Sequence, residues 1–99
     1  MKVVWSALAL ERVVEIGEYI ARDRPNAAAD WVEGIFEAVQ PLARFPRSGR
    51  PVPESPRAGL REILHGSYRV IYRTDPEHVV VLTVRHSRQD LQPDDPDLQ

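Results

Sequence analysis

The chain contains no cysteine and a single lysine, Lys2, and none of its seven aromatic residues follows Tyr72. The lack of cysteine excludes disulfides and thiolate metal sites and is compatible with a reducing cytosol. No apolar run approaches the roughly 18 residues of a membrane span. The opening MKVVWSALAL, a short apolar run broken by Trp5 and Ser6, does not read as a secretory leader. The three histidines, His65, His78 and His86, lack metal-ligand spacing, so neither metal nor cofactor is expected. What remains is a cytoplasmic domain of 99 residues, long enough for one core without a staple.

Its net charge of -2 is unevenly distributed. Residues 1–43 hold four bases against seven acids, whereas residues 44–88 hold nine arginines against four acids. The remainder adds four aspartates and no base. Such segregation points to an anionic partner on one side of the molecule.

The pattern of apolar residues gives the elements. Lys2 to Trp5 reads as a short strand, and Ser6 as an N-cap for a helix over Ala7–Arg22. In that helix Leu10, Val13, Val14, Gly17, Ile20 and Ala21 form the expected buried stripe. Pro25 breaks the helix, and Asn26 is expected to cap a second one from Ala27 that ends near Val39, ahead of Pro41. Phe45–Pro56 holds four prolines, so a stiff irregular loop is expected. Three strands follow, over Leu60–His65, Tyr68–Thr74 and Val79–His86, joined by turns at Gly66-Ser67 and Asp75–His78. The fold class is α+β: a helical hairpin on one face of a mainly antiparallel four-stranded sheet. Residues 1–91 form one domain, and 92–99 an acidic tail, disordered or loosely docked.

Strand alternation assigns faces. Tyr68, Val70 and Tyr72 are expected under the helices with Val80, Leu82, Val84 and His86. Arg69, Ile71 and Arg73 would then face away, with Val79, Val81, Thr83 and Arg85, and Arg61 could join them. His65 and His78, beside turns, are expected in solvent, and His86 to be a structural histidine at a strand end. An outer face carrying arginines and uncovered Ile71, Val79 and Val81 calls for a partner.

Several segments in order carry a family resemblance: Leu42-Ala43-Arg44-Phe45-Pro46, Gly49-Arg50, Gly59-Leu60-Arg61-Glu62, Gly66 to Arg73, and Val84 to Leu91. Together they resemble the ParE/RelE superfamily of bacterial toxin–antitoxin operons. The resemblance implies one of two activities. ParE-like members act on DNA gyrase, and RelE-like members cut messenger RNA on the ribosome. Either kind is silenced by an antitoxin whose C-terminal part wraps across the toxin.

The RelE-like branch relies on several lysines and arginines and on a tyrosine or histidine near the C-terminus. Here lysine is nearly absent, and a nuclease would have to be composed of Arg61, Arg85 and His86. A sequence pI of about 5.9 is low for a protein that grips ribosomal RNA. The expectation is therefore a ParE-like, non-catalytic gyrase toxin in a heteromeric complex with a ParD-like antitoxin. Direct nucleic-acid contact is expected only in the ribosome-dependent alternative. The residues expected to meet antitoxin or target are Arg47, Arg50, Arg61, Arg69, Ile71, Arg73, Arg85 and Arg88.

Overall fold

The computed structural model describes residues 1–55 and 59–98. Its elements are β1 (Lys2–Trp5), α1 (Ala7–Ala21), α2 (Pro25–Val39), β2 (Arg50–Pro51), β3 (Leu60–His65), β4 (Tyr68–Thr74) and β5 (His78–His86). The strands form one sheet in the order β1-β5-β4-β3-β2. β1 runs parallel to β5, and the other neighbours are antiparallel. This is the expected α+β architecture with one strand added. The proline-rich loop, expected to be irregular throughout, contributes Arg50 and Pro51 as a short edge strand against β3. An edge strand needs hydrogen bonds on one side only, so proline is tolerated there.

Local chemistry explains the helices. The Ser6 hydroxyl accepts from the Ala9 amide at 3.0 Å and donates to the Leu82 carbonyl at 3.1 Å, capping α1 and tying it to β5. α2 begins at Pro25 rather than Ala27, and Asn26 lies inside its first turn instead of capping it. Proline at the first helical position has the right φ and no amide to leave unsatisfied, which removes the need for a side-chain cap. Pro41 converts the end of α2 into a 3-10 turn over Gln40–Ala43.

The helices cover one sheet face through Ala9, Val13, Ile35, Val39 and Leu42. Trp5 packs against Phe36 with the rings tilted by 53° and their centroids 4.7 Å apart, which fixes β1 beneath α2. On β4, Tyr68, Val70 and Tyr72 face the helices as alternation predicts. β5 departs from the expected parity. Ile71 pairs with Thr83 and Tyr72 with Val81, so Leu82 is an extra residue in a bulge. Beyond the bulge the parity holds, with Val84 inward and Arg85 outward; before it the faces exchange. Val79 and Val81 pack under the helices, while Val80 and Leu82 face away.

The outer face is not bare. Val52, Leu60, Ile71, Leu82, Leu91 and Leu98 make a second buried cluster. The tail from residue 92, expected to be disordered or loosely docked, lies on the sheet through Leu98 beside Leu91, with a short 3-10 turn over Pro96–Leu98. Two leucines with little other apolar surface to bury find it there.

Candidate interaction face

The outer face carries two ionic clusters. In the first, β3 contributes Glu62, whose residue is 1% exposed, and β4 contributes Arg69, 4% exposed. Arg69 donates to Glu62 through Nε at 2.9 Å and Nη2 at 2.5 Å. It also holds Glu54 by a two-pronged pair at 2.7 and 2.8 Å. Arg50 reaches the other oxygen of Glu62 at 2.6 Å from the surface. The Arg69 hydrogen bonds keep the Glu54 carboxyl below the usual carboxylate range, against its desolvation. Taking charges out of water is costly, and the fork of Arg69 between two carboxylates offsets that cost.

The second cluster ties the chain end to the body. Asp97 accepts from Arg12 of α1 at 3.0 and 3.1 Å, from the Thr83 hydroxyl at 2.9 Å and from Arg85 at 3.3 Å. Arg85 also grips both oxygens of Asp95 at 2.8 Å. The Arg12 hydrogen bonds hold the Asp97 carboxyl below its ordinary value against desolvation, helped by Thr83 and the charge of Arg85. A depressed carboxyl stabilises the fold fully above the unfolded aspartate pKa of about 3.9, and that contribution fades as pH falls through the folded value. Asp97→Asn should thus flatten the acid limb of stability between about pH 5 and pH 2, relative to the parent chain. Denaturant titrations at several pH values check this; parallel acid limbs would separate Asp97 from the effect.

At the opposite end of β3, the loop is fastened to the sheet interior. The buried Tyr72 hydroxyl accepts from the Gly49 amide at 3.0 Å and donates to the Pro46 carbonyl at 2.7 Å. Burial pushes this hydroxyl above the usual tyrosine value. Arg61 donates to the Gly49 carbonyl at 2.8 Å, securing the same loop.

The expected site residues thus fall into three groups. Arg47, Arg50, Arg73 and Arg88 are exposed. Arg69 and Arg85 are consumed by internal carboxylates, and Ile71 is fully buried beneath the loop and tail. Arg61 lies opposite Tyr72 in the ladder, on the helix side, and does not join Arg69. The conceivable nuclease set is not assembled either. Arg85 faces outward opposite Arg69, whereas His86 lies opposite Tyr68 with the two rings 5.2 Å apart. His86 Nδ1 accepts from the Arg88 amide at 3.0 Å, a structural role. His65, expected in solvent, instead packs against Trp31 and closely over Gly34. Among the described residues no three His, Cys, Asp or Glu side chains gather as metal ligands, and no helix is long and apolar enough to cross a membrane.

Glu54, Glu62, Asp95 and Asp97 are absent from the sequence expectation. One signal for Glu62 was available: it shares a strand face with Leu60, and a carboxylate buried beside it requires a counter-charge.

Comparison with known proteins agrees with this architecture. A putative toxin from Sinorhizobium fredii, Y4kP, is 40% identical over 90 residues, 89% of this chain and 90% of that protein. The chromosomal ParDE toxin–antitoxin system of P. aeruginosa contains a chain of the same fold, with a TM-score of 0.76 at 21% identity over 87% of this chain and 95% of that one. The RelBE2 toxin–antitoxin complex of Mycobacterium tuberculosis matches with a TM-score of 0.56 at 30% identity, covering 86% and 95%. The family described as the ParE toxin of the type II toxin–antitoxin system parDE matches residues 3–91, nearly the whole chain, and the chain belongs to that family.

Proposed function

We propose that this toxin arrests growth by binding DNA gyrase, cuts no nucleic acid, and is kept silent by a ParD-like antitoxin. Family membership supports the class. The observation that carries the choice of mechanism is the internal neutralisation of the sheet's cations. Cleavage of RNA needs cations free to meet a phosphate and a titratable group beside them. Arg69 sits between Glu54 and Glu62, Arg85 between Asp95 and Asp97, and His86 and Arg61 point to the other side of the sheet. A phosphate approaching Arg69 or Arg85 would have to displace a carboxylate already bonded in two prongs.

Added to purified gyrase, the chain should inhibit plasmid supercoiling in a dose-dependent way. Growth arrest with normal supercoiling, accompanied by codon-positioned cuts in transcripts, would overturn the reading. That outcome would favour a RelE-like messenger RNA endoribonuclease, a reading supported by the 30% identity to a chain of the RelBE2 complex.

For the antitoxin, the exposed arginines Arg47, Arg50, Arg73 and Arg88 replace the buried Arg69 as the contact set. An acidic, apolar segment laid against them gains charge complementarity. Arg73→Glu with Arg88→Glu should weaken the toxin–antitoxin complex by well over the roughly 1 kcal/mol of one isolated surface pair. Calorimetric titration reads this directly, and unchanged affinity would place the antitoxin elsewhere.

A further inference from the structure

Phe45 stands in solvent, 60% exposed, whereas Trp5, Trp31, Phe36, Tyr68 and Tyr72 pack in the core. It opens a tight turn. The Phe45 carbonyl accepts from the Ser48 amide at 3.0 Å, with Pro46 at the second position, where its fixed φ suits a β-turn. The Phe45 amide donates to the Pro41 carbonyl at 2.9 Å, which joins the turn to the end of the helical layer. On its other side the Tyr72 hydroxyl holds Pro46 and Gly49, and Arg61 holds Gly49. The ring is therefore carried on backbone fastened before and after it.

The surroundings are basic. Residues 38–53 hold three arginines, Arg44, Arg47 and Arg50, and no acid. Arg44 lies over the Phe45 ring, 5.9 Å from its centroid. Among the described residues Arg44 and Arg47 have no carboxylate partner. Arg50 pairs with Glu62, yet its side chain is 60% exposed. A braced turn carrying an exposed ring and unneutralised cations contributes little to the fold and is pre-organised for a partner.

We propose that this turn is a DNA contact, in which the Phe45 ring lodges against the bases while Arg44 and Arg47 meet the flanking phosphates. Apolar wedges accompanied by arginine are a general means of parting a base step, and each arginine at a phosphate releases counterions. An acidic protein surface would answer the arginines equally well. The flat ring between them favours bases, which stack on aromatics whatever their sequence. The inference rests on the gyrase reading and deepens it, because DNA is what gyrase holds. The chain as a whole carries a net charge of -2, so the turn depends on gyrase to bring it to DNA. Contact without cutting also fits the turn, since Arg44-Phe45-Pro46-Arg47-Ser48 offers no general base.

The test mixes the full chain with purified gyrase and a labelled duplex. The photoreactive substitution Phe45→p-benzoyl-phenylalanine is compared with the same probe at Tyr19, the other exposed aromatic. Irradiation should join the probe at Phe45 to DNA, and the probe at Tyr19 should not. Arg44→Glu with Arg47→Glu should melt like the parent, because both side chains are exposed. That variant should need at least roughly tenfold more protein to inhibit supercoiling. Crosslinks only to a gyrase subunit would make a protein surface the occupant and overturn the proposal. Equal DNA crosslinks from Phe45 and Tyr19 would do the same. A parent chain that leaves supercoiling untouched would remove the gyrase reading and this inference with it. Inhibition without a DNA crosslink at Phe45 would remove this inference alone.

Discussion

Arg69→Ala should cost about 3–5 kcal/mol, the penalty for removing one partner of a buried ion pair. Glu62 would then sit in the sheet with Arg50 as its remaining cation, a side chain itself 60% exposed and screened by water. Glu54, 34% exposed, can turn into solvent, so the penalty falls on Glu62. Against a typical domain stability of about 5–15 kcal/mol, this leaves the variant close to unfolding at physiological temperature. The converse variant separates charge from shape. Arg69→Met combined with Glu62→Leu removes both charges and should recover most of the loss, because an apolar replacement of a buried pair is often neutral. A double-mutant cycle on denaturant midpoints measures the coupling. If Arg69→Ala unfolds at the parent midpoint, the network contributes nothing to stability. Any toxin assay on Arg69 therefore needs this control, since loss of effect could reflect loss of fold.

Gly49→Ala is the second large effect, at about 2–4 kcal/mol from overpacking together with lost hydrogen bonds. A Cβ at this position would lie 2.5 Å from the Tyr72 hydroxyl, 2.7 Å from the Glu62 carbonyl oxygen and 2.8 Å from the Tyr72 ring. None of these can easily yield. The Tyr72 ring is wholly buried, and the carbonyl belongs to β3. The loop must instead lift, surrendering the Tyr72 bonds to Gly49 and Pro46 together with the Arg61 bond. Tyr72→Phe keeps the ring and removes the two bonds, and should cost only about 1–2 kcal/mol. Thermal and denaturant unfolding of both variants check the order; Gly49→Ala melting with the parent would show that the loop moves freely.

The elements were legible in the sequence because periodicity and punctuation act locally. Ser6, Pro25 and Pro41 each place a boundary through their own backbone chemistry. Faces were harder. Alternation carries no mark for an inserted residue, and the bulge at Leu82 exchanged the sides of Val79, Val80 and Val81 while leaving Val84 and Arg85 where counting put them. Charge was harder still. The arginines looked free, although Arg69 meets Glu62 across the β3–β4 hairpin and Glu54 once the loop folds back, and Arg85 meets Asp95 and Asp97 once the tail does. Leu91 and Leu98, two apolar residues in an acidic segment, were the readable sign that this end has a seat. Leu10 and Val14, expected in the buried stripe of α1, are 42% and 58% exposed; a wide apolar stripe does not say which part of it the fold covers.

The parallel pairing of β1 with β5 joins Lys2 to His78 and Trp5 to Val81, across nearly the whole chain. β1 and its sheet neighbour β5 are separated in sequence by both helices and three other strands. Contacts so distant in sequence form slowly, because loop closure is completed before they contribute. A chain truncated before residue 78 lacks the strand that pairs with β1 and cannot complete this sheet. The sheet is thereby completed only when β1 and β5 meet, after everything between them has been made.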